Sequence, residues 1–480
     1  MGAADLDYII IAAYLVGVAI FGIVSGGKQK SIQDYFAGSK KIPWWAVCFS
    51  IVAAETSALT FISIPGLAYI ANLNFLQVTV GYLLGRIVVA AVLLPQYSKG
   101  NLKTAYTFLE SRFGGKTRSF ASVVFIFTRT AADGVRLFAT AIPIYLMLSI
   151  DPMIAIIIVA LVSLAYTYTG GIKGIIWVDV IQMSVYLGGA VIAGFFIISN
   201  LPESLSSTLG NAAIIEKLSF INLGFDKGIS GFLTDPYTLI GGLIGGAFLS
   251  MASHGTDQLV VQRLLAIKDL KGSQKAIIGS GVIVIMQFAV FLFIGVLLYA
   301  YYGPIDIRSD EIFPKFIIEV LPIGLTGVII AALLAAAMST LAGSMSSLSS
   351  SLMMDLYLPL TKKVLSDHQK LRISRLFTIL FGFMLILSAF FFKESSQAVV
   401  EIALSIASFT YGGLLGTFLL GILFKKSKQE DALAGFVAGI FIMITVISLK
   451  LVAWTWFTFV GVLATLIVGG LLSKYNESDV

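Results

Sequence analysis

The chain has 480 residues, of which 58% are hydrophobic and only 12% charged. Soluble globular domains carry about 25% charged residues, so this composition excludes an ordinary water-soluble globule. The net charge of +6 does not point to nucleic acid, because Lys and Arg gather at the ends of apolar runs, and the lone Cys48 excludes an intrachain disulfide framework.

A bilayer span takes about 20 mostly apolar residues. Thirteen stretches qualify, at 6–25, 44–70, 74–97, 119–149, 152–169, 175–199, 236–262, 274–300, 324–352, 373–392, 397–424, 431–449 and 453–473. The first is expected to be a retained helix, not a cleaved leader. Asp5 and Asp7 precede its apolar run where a leader would be basic, and no small-residue cleavage site follows. The longest segments between spans are 200–235 and 301–323, so residues 1–480 are expected to form one all-α transmembrane domain. With an outside N-terminus, 23 of the 32 Lys and Arg residues fall in inside segments, Arg118 and Arg263 among them. Six fall outside, and Arg86, Arg129 and Arg136 lie within spans. This asymmetry predicts an N-out, C-in topology.

Ionisable and polar groups at membrane depth are costly and mark candidate sites. In chain order, the first cluster is in the second span, which runs from Ser50 through Glu55, Thr56, Ser57, Thr60 and Ser63 to Pro65-Gly66. One reading is a proline-kinked helix whose hydroxyls bond back to its own carbonyls. The other is a helix interrupted near its middle, with freed carbonyls for a cation and freed N–H groups for a solute. Gln77 follows in the third span. The fourth carries Arg129, Asp133 and Arg136; the last two are three residues apart and can pair on one face, as structural glue or along a solute path. Asp179 opens the sixth span, where it either offsets the helix dipole or serves a site.

The seventh span holds Gly241-Gly242, Gly245-Gly246, Ser250, Ser253 and His254-Gly255. It reads as a second interrupted helix, five spans after the first, or as glycines that let helices pack closely. Gln287 lies in the eighth span. In the ninth, residues 336, 339, 340, 343 and 347 recur at helical spacing, so one face is all small or hydroxyl-bearing. That face suits either close packing or a hard-cation site with Ser339 and Thr340 as oxygen donors. With two histidines there is no zinc or haem cluster, and no phosphate-binding loop or hydrolase motif appears, so an enzyme is not expected.

Four ordered blocks resemble the sodium:solute symporter family, which includes sodium–glucose, iodide, multivitamin, monocarboxylate, proline and sialic acid carriers. They are Gly170 to Gln182 (with Trp177 and Asp179), Gly255-Thr256-Asp257-Gln258 to Arg263, the Ser339-Thr340 face ending at Asp355 and Tyr357, and Phe409 to Ile422. The resemblance implies a leucine-transporter-type fold with a five-plus-five inverted repeat. Span 6–25 would be an extra N-terminal helix, 44–199 the first repeat, 236–424 the second, and 431–473 two C-terminal helices. It also implies one sodium ion held by carbonyls of Ala53, Thr56 and Ala336 and hydroxyls of Ser339 and Thr340.

Some members of the family hold a second sodium at the position of Asp179. Here the neighbouring Ala342 and Gly343 bring no side-chain oxygen, so one sodium per solute is expected. Thr60 stands where galactose carriers have a glutamine. The Ser57 and Thr60 pair is similar to that of sialic acid carriers, in which the matching hydroxyls meet a carboxylate, although Glu55 replaces a neutral residue there.

The expected solute site is Glu55, Ser57, Thr60, Gln77, Arg136 and Gln287, at the midplane. The expected function is sodium-coupled import of a small polar organic solute by alternating access at the plasma (inner) membrane. The solute would be a hydroxylated or anionic acid, such as sialic acid or a monocarboxylate, or a sugar; a proline-like amino acid is the alternative. A transporter-fold sensor or a channel is a further alternative, though the six residues after Lys474 leave no room for an output domain. The partners expected are the solute and the lipid bilayer, with no nucleic acid and no obligatory protein.

Overall fold

The computed structural model describes residues 5–99, 102–148, 150–225, 228–361, 364–391 and 399–478. The side chain of Phe409, and Lys227, Lys362, Lys363 and Lys393 of the charge count, lie outside the described residues. Among the described residues the regular secondary structure is entirely helical. Eight helices among the described residues are long and apolar enough to cross a bilayer, and one pair bent by 63° joins them if counted as a single span.

In chain order the principal helices begin with α1 (Asp5–Gly26), followed by the bent pair α2 (Trp44–Glu55) and α3 (Ala58–Ile70). Next come α4 (Phe75–Ser98), α5 (Gly115–Leu148) and α6 (Pro152–Ser199). The seventh expected span divides into α7 (Gly246–Gly255) and α8 (Gln258–Leu265). The remainder are α9 (Leu270–Tyr302), α10 (Leu325–Leu360), α11 (Asp367–Phe390), α12 (Val399–Leu423), α13 (Gln429–Ser448) and α14 (Trp454–Tyr475).

α6 contains two expected spans, divided at Gly171, whose φ of +55° is open to glycine at little cost. A Cβ there would stand 2.7 Å from the Tyr35 carbonyl, so the kink and the close approach both require glycine.

Burial grades the helices from centre to rim. In α10, 89% of the apolar window is buried, against 22% in α1. α10 packs along α6, and its Ala, Ser and Gly face lets the backbones come close, as helices do where lipid offers no hydrophobic drive to associate. Rim helices turn large apolar side chains outward: Val24 of α1 is 72% exposed and Phe127 of α5 is 75% exposed. In water these would be a liability; against hydrocarbon they are the matching surface. Asp7 of α1 is buried because it caps the start of α10, accepting from the backbone N–H groups of Gly324 at 2.8 Å and Gly327 at 2.7 Å.

Candidate functional site

Both interrupted helices break where the sequence supplies local substitutes for lost backbone bonds. α2 ends as Thr56 N–H donates to the Val52 carbonyl at 2.9 Å. Thr56 then turns extended (φ −78°, ψ 106°), and Ser57 opens α3 without a side-chain cap. The hydroxyls of this span therefore do not merely bond back within a kinked helix. The second break falls at Thr256-Asp257, where the Asp257 carboxylate caps α8 by accepting from Leu259 N–H at 2.8 Å.

The Gly pairs at 241–246 serve close packing instead. A Cβ on Gly246 would stand 2.5 Å from the Val78 carbonyl of α4.

A cavity lies between the two breaks. Its lining includes Glu55, Ser57, Thr60, Phe75, Tyr82, Arg129, Arg136, Ser253, His254, Phe288 and Tyr411. Four of the six expected solute residues line it, and Gln77 and Gln287 do not. Gln77 holds a loop, donating to the Tyr237 carbonyl at 2.9 Å and accepting from Asn222 N–H at 3.2 Å. Gln287 donates to the Thr56 hydroxyl at 2.9 Å and so steadies the first break from behind. A glutamine in an apolar span signals an obligatory hydrogen-bond partner, and sequence alone does not say whether that partner is protein or solute.

The charges on the cavity wall are unequally satisfied. Glu55 forms a direct ion pair with Arg86 of α4, which is fully buried and also donates to Ser280 at 2.7 Å. His254 Nε2 is 3.4 Å from the same carboxylate, with Ser253 bonded to its Nδ1 at 2.8 Å. Arg129 bridges Asp133 at 2.6 Å and Asp257 at 3.3 Å, and Tyr411 donates to Asp257 at 2.7 Å. Arg136 makes one ion-pair contact, 3.3 Å to Asp133, and its side chain stays 17% exposed.

Two of the expected sodium ligands touch, and one of them reaches the first break. Thr340 donates to the carbonyls of Ala336 at 3.2 Å and Ala54 at 3.5 Å, so the small-residue face of α10 reaches the first break. Ser339 donates to Asp179 at 2.6 Å, which leaves its lone pairs for another partner. Ala53, Thr56, Ala336, Ser339 and Thr340 are all buried. Thr56, Ser339 and Thr340 bring hydroxyls, and the break supplies carbonyls, the hard oxygen donors an alkali cation takes in broken-helix carriers.

Asp179 is not a simple helix-start carboxylate. It lies fully buried and pairs at 3.1 Å with Arg263 of α8, also fully buried, while Ser50 donates to it directly. Arg263, expected in an inside loop, is thus a core residue. Arg118, expected in another loop, pairs with Asp355 at 2.8 Å and is only 8% exposed. Sequence reading missed Arg86 and Arg263 as partners. Arg86 was visible as a charge inside an apolar run, but Arg263 follows a helix break that hydropathy does not reveal.

The family model "Sodium:solute symporter family" matches residues 35–439. The sodium/sialic acid symporter of Proteus mirabilis is 29% identical over 96% of this chain and 93% of its own length. That of Aliivibrio fischeri is 31% identical over 99% and 94%. A solved Na⁺-coupled sialic acid symporter, substrate-bound and outward-open, superposes with a TM-score of 0.87 at 27% identity, covering 98% of both chains. These matches fix the leucine-transporter-type fold and a transporter, not an enzyme. With two broken helices and a cavity between them, the chain belongs to the sodium:solute symporter family: it is a multi-pass membrane carrier that moves an organic solute by sodium-coupled alternating access.

Proposed function

We propose that the solute is a hydroxylated organic anion of the sialic acid class, carried into the cell with one sodium ion. The observation that carries this reading is Arg136, a cavity-lining guanidinium whose one partner among the described residues is Asp133 at 3.3 Å and which keeps residual exposure. A guanidinium only donates, and a carboxylate is the partner that fits its fork. Ser57 and Thr60 line the same cavity at the start of α3, where helix N–H groups and the dipole favour an anion. Glu55 does not oppose this, because Arg86 already neutralises it. The lining residues Glu55, Arg129 and Arg136 are balanced by their ion-pair partners Arg86, Asp133 and Asp257, so an incoming monoanion adds one negative charge that one sodium offsets.

Sodium would be held by Ala53, Thr56, Ala336, Ser339 and Thr340, next to the break that receives the solute, so that each steadies the other's binding elements. The amino-acid alternative needs a carboxylate free to take an ammonium group, and Glu55 is engaged. A plasma (inner) membrane location with the N-terminus outside and C-terminus inside is supported by the charge count, which stays at 21 against 6 when the buried Arg118 and Arg263 are set aside. The two repeats are assigned to 44–199 and 236–424, with 1–480 acting as one transport domain in the bilayer.

The test is uptake into proteoliposomes with a sodium gradient, comparing N-acetylneuraminate, lactate, glucose and proline. Sodium-driven uptake of N-acetylneuraminate is expected. Uptake of glucose or proline in its place would overturn the solute assignment.

A further inference from the structure

The segment between α6 and the glycine-rich start of the seventh span holds only short helices of five to seven residues, yet it turns a row of large apolar side chains away from the protein. Along 221–225 the residues alternate. Asn222 and Gly224 face inward: Asn222 N–H donates to Gln77 at 3.2 Å, its carbonyl accepts from Leu239 N–H at 2.6 Å, and a Cβ on Gly224 would stand 2.4 Å from Thr238. Ile221, Leu223 and Phe225 face outward, and Ile229 joins them from the short helix Gly228–Thr234. These four are between 54% and 82% exposed.

The surface is fixed to the membrane helices. Leu73 N–H, just after α3, donates to the Ser219 carbonyl at 3.0 Å, and Lys217 Nζ donates to the Tyr69 carbonyl of α3 at 2.6 Å. Ala453 N–H, just before α14, donates to the Leu233 carbonyl at 2.8 Å. The Phe225 ring stacks on Phe232, which packs on Trp456 of α14. These contacts lie on the inner side and leave the apolar row outside.

Beside Leu233 the row meets the rim of the molecule. The connection between α13 and α14 carries Leu449 and Leu451, both exposed, and α13 itself turns Phe441 and Ile444 outward. Lys450 is exposed between the two leucines, as suits a charged tip at headgroup level. An apolar patch of this kind marks an interaction site, and its continuity with a hydrocarbon-facing rim fits lipid better than a soluble partner. We propose that Ile221, Leu223, Phe225 and Ile229 dock in the boundary between headgroups and acyl chains of the leaflet at this end of α14, the outer leaflet in the topology proposed above. Docking there anchors to the leaflet the turn that joins α3 and α4, two helices that line the cavity. The inference needs only a membrane carrier and is independent of the solute and sodium assignments.

Spin-label accessibility on the full chain in phosphatidylcholine vesicles tests it. Cys48 is buried, so Ile229→Cys and Phe225→Cys, made singly, each present one reactive thiol for a nitroxide. At both sites relaxation by oxygen, which partitions into hydrocarbon, should exceed relaxation by a water-soluble nickel chelate severalfold. Nickel dominating at either site would show that the row faces water, open to a soluble partner. Low access to both reagents would show that it is covered by protein, such as a second copy of the chain. Either result would overturn the inference. Should Phe225→Cys, which loses the stack on Phe232, not fold, the more exposed Ile229→Cys decides alone.

Discussion

The Asp179–Arg263 pair and the Asp133–Arg136 pair are both arginine–aspartate contacts at membrane depth, made at 3.1 Å and 3.3 Å. Their surroundings differ. The first has no exposed surface and every nitrogen of its guanidinium has a protein partner. In the second, Asp133 also serves Arg129 and accepts from Ser344, while Arg136 keeps an open edge on the cavity. A closed pair can hold helices in register, but it has nothing to offer a ligand. A shared and partly exposed pair can trade a partner for a solute carboxylate at small cost. Within one membrane protein, residual hydrogen-bonding capacity separates the two uses better than burial or charge.

The sharpest way to break that contrast is to remove one partner from each pair. Arg263→Ala leaves Asp179 buried and unpaired and should destabilise the protein by about 3–5 kcal/mol. Thermal unfolding in detergent reads this as a large drop in Tm, with partial recovery in Arg263→Ala/Asp179→Asn. A small drop would mean that the cluster is wet or already loosened.

Next in size, Ser339→Ala with Thr340→Ala removes two hydroxyls of the proposed sodium site, beside the closed pair. Sodium affinity should fall by about 100-fold, roughly two lost charge-assisted contacts, with sodium-driven uptake lost as a result. Retention of the native sodium dependence in uptake assays would place the ion elsewhere.

Arg136→Gln tests the open pair. Tm should change little, since Asp133 keeps Arg129, while affinity for an anionic solute should drop by about 10- to 100-fold, the worth of one hydrogen bond to a charged group. Calorimetric titration with N-acetylneuraminate measures it, and an unchanged affinity would show that the carboxylate binds without Arg136.

The smallest effect is expected at Gln77→Ala. Its partners are the Tyr237 carbonyl and the Asn222 N–H, so solute affinity should stay within about two-fold in the same titration. A larger loss would return Gln77 to the solute site, where its polarity alone had suggested it belonged.

Much of this was legible in the chain. The run of membrane segments, the polar interruption at 55–57 and the hydroxyl face at 339–340 follow from local facts: hydropathy, proline and glycine placement, and 3.6-residue spacing. Bilayer solvent makes those facts decisive, because backbone groups in hydrocarbon must be satisfied within a helix or at a protected break. What sequence left open was which polar group meets which. Glu55 found Arg86, 31 residues on, and Asp179 found Arg263, 84 residues on. Gln77 and Gln287 met protein partners outside the cavity lining, where a solute contact had been expected. Arg263 moved from a loop in the hydropathy reading to the centre of a charge cluster. Pairing of this kind depends on the angle at each helix break and on which faces then pack together. Those are set by contacts between distant segments, so only the tertiary structure decided that Arg136 faces the cavity while Arg263 is sealed against Asp179.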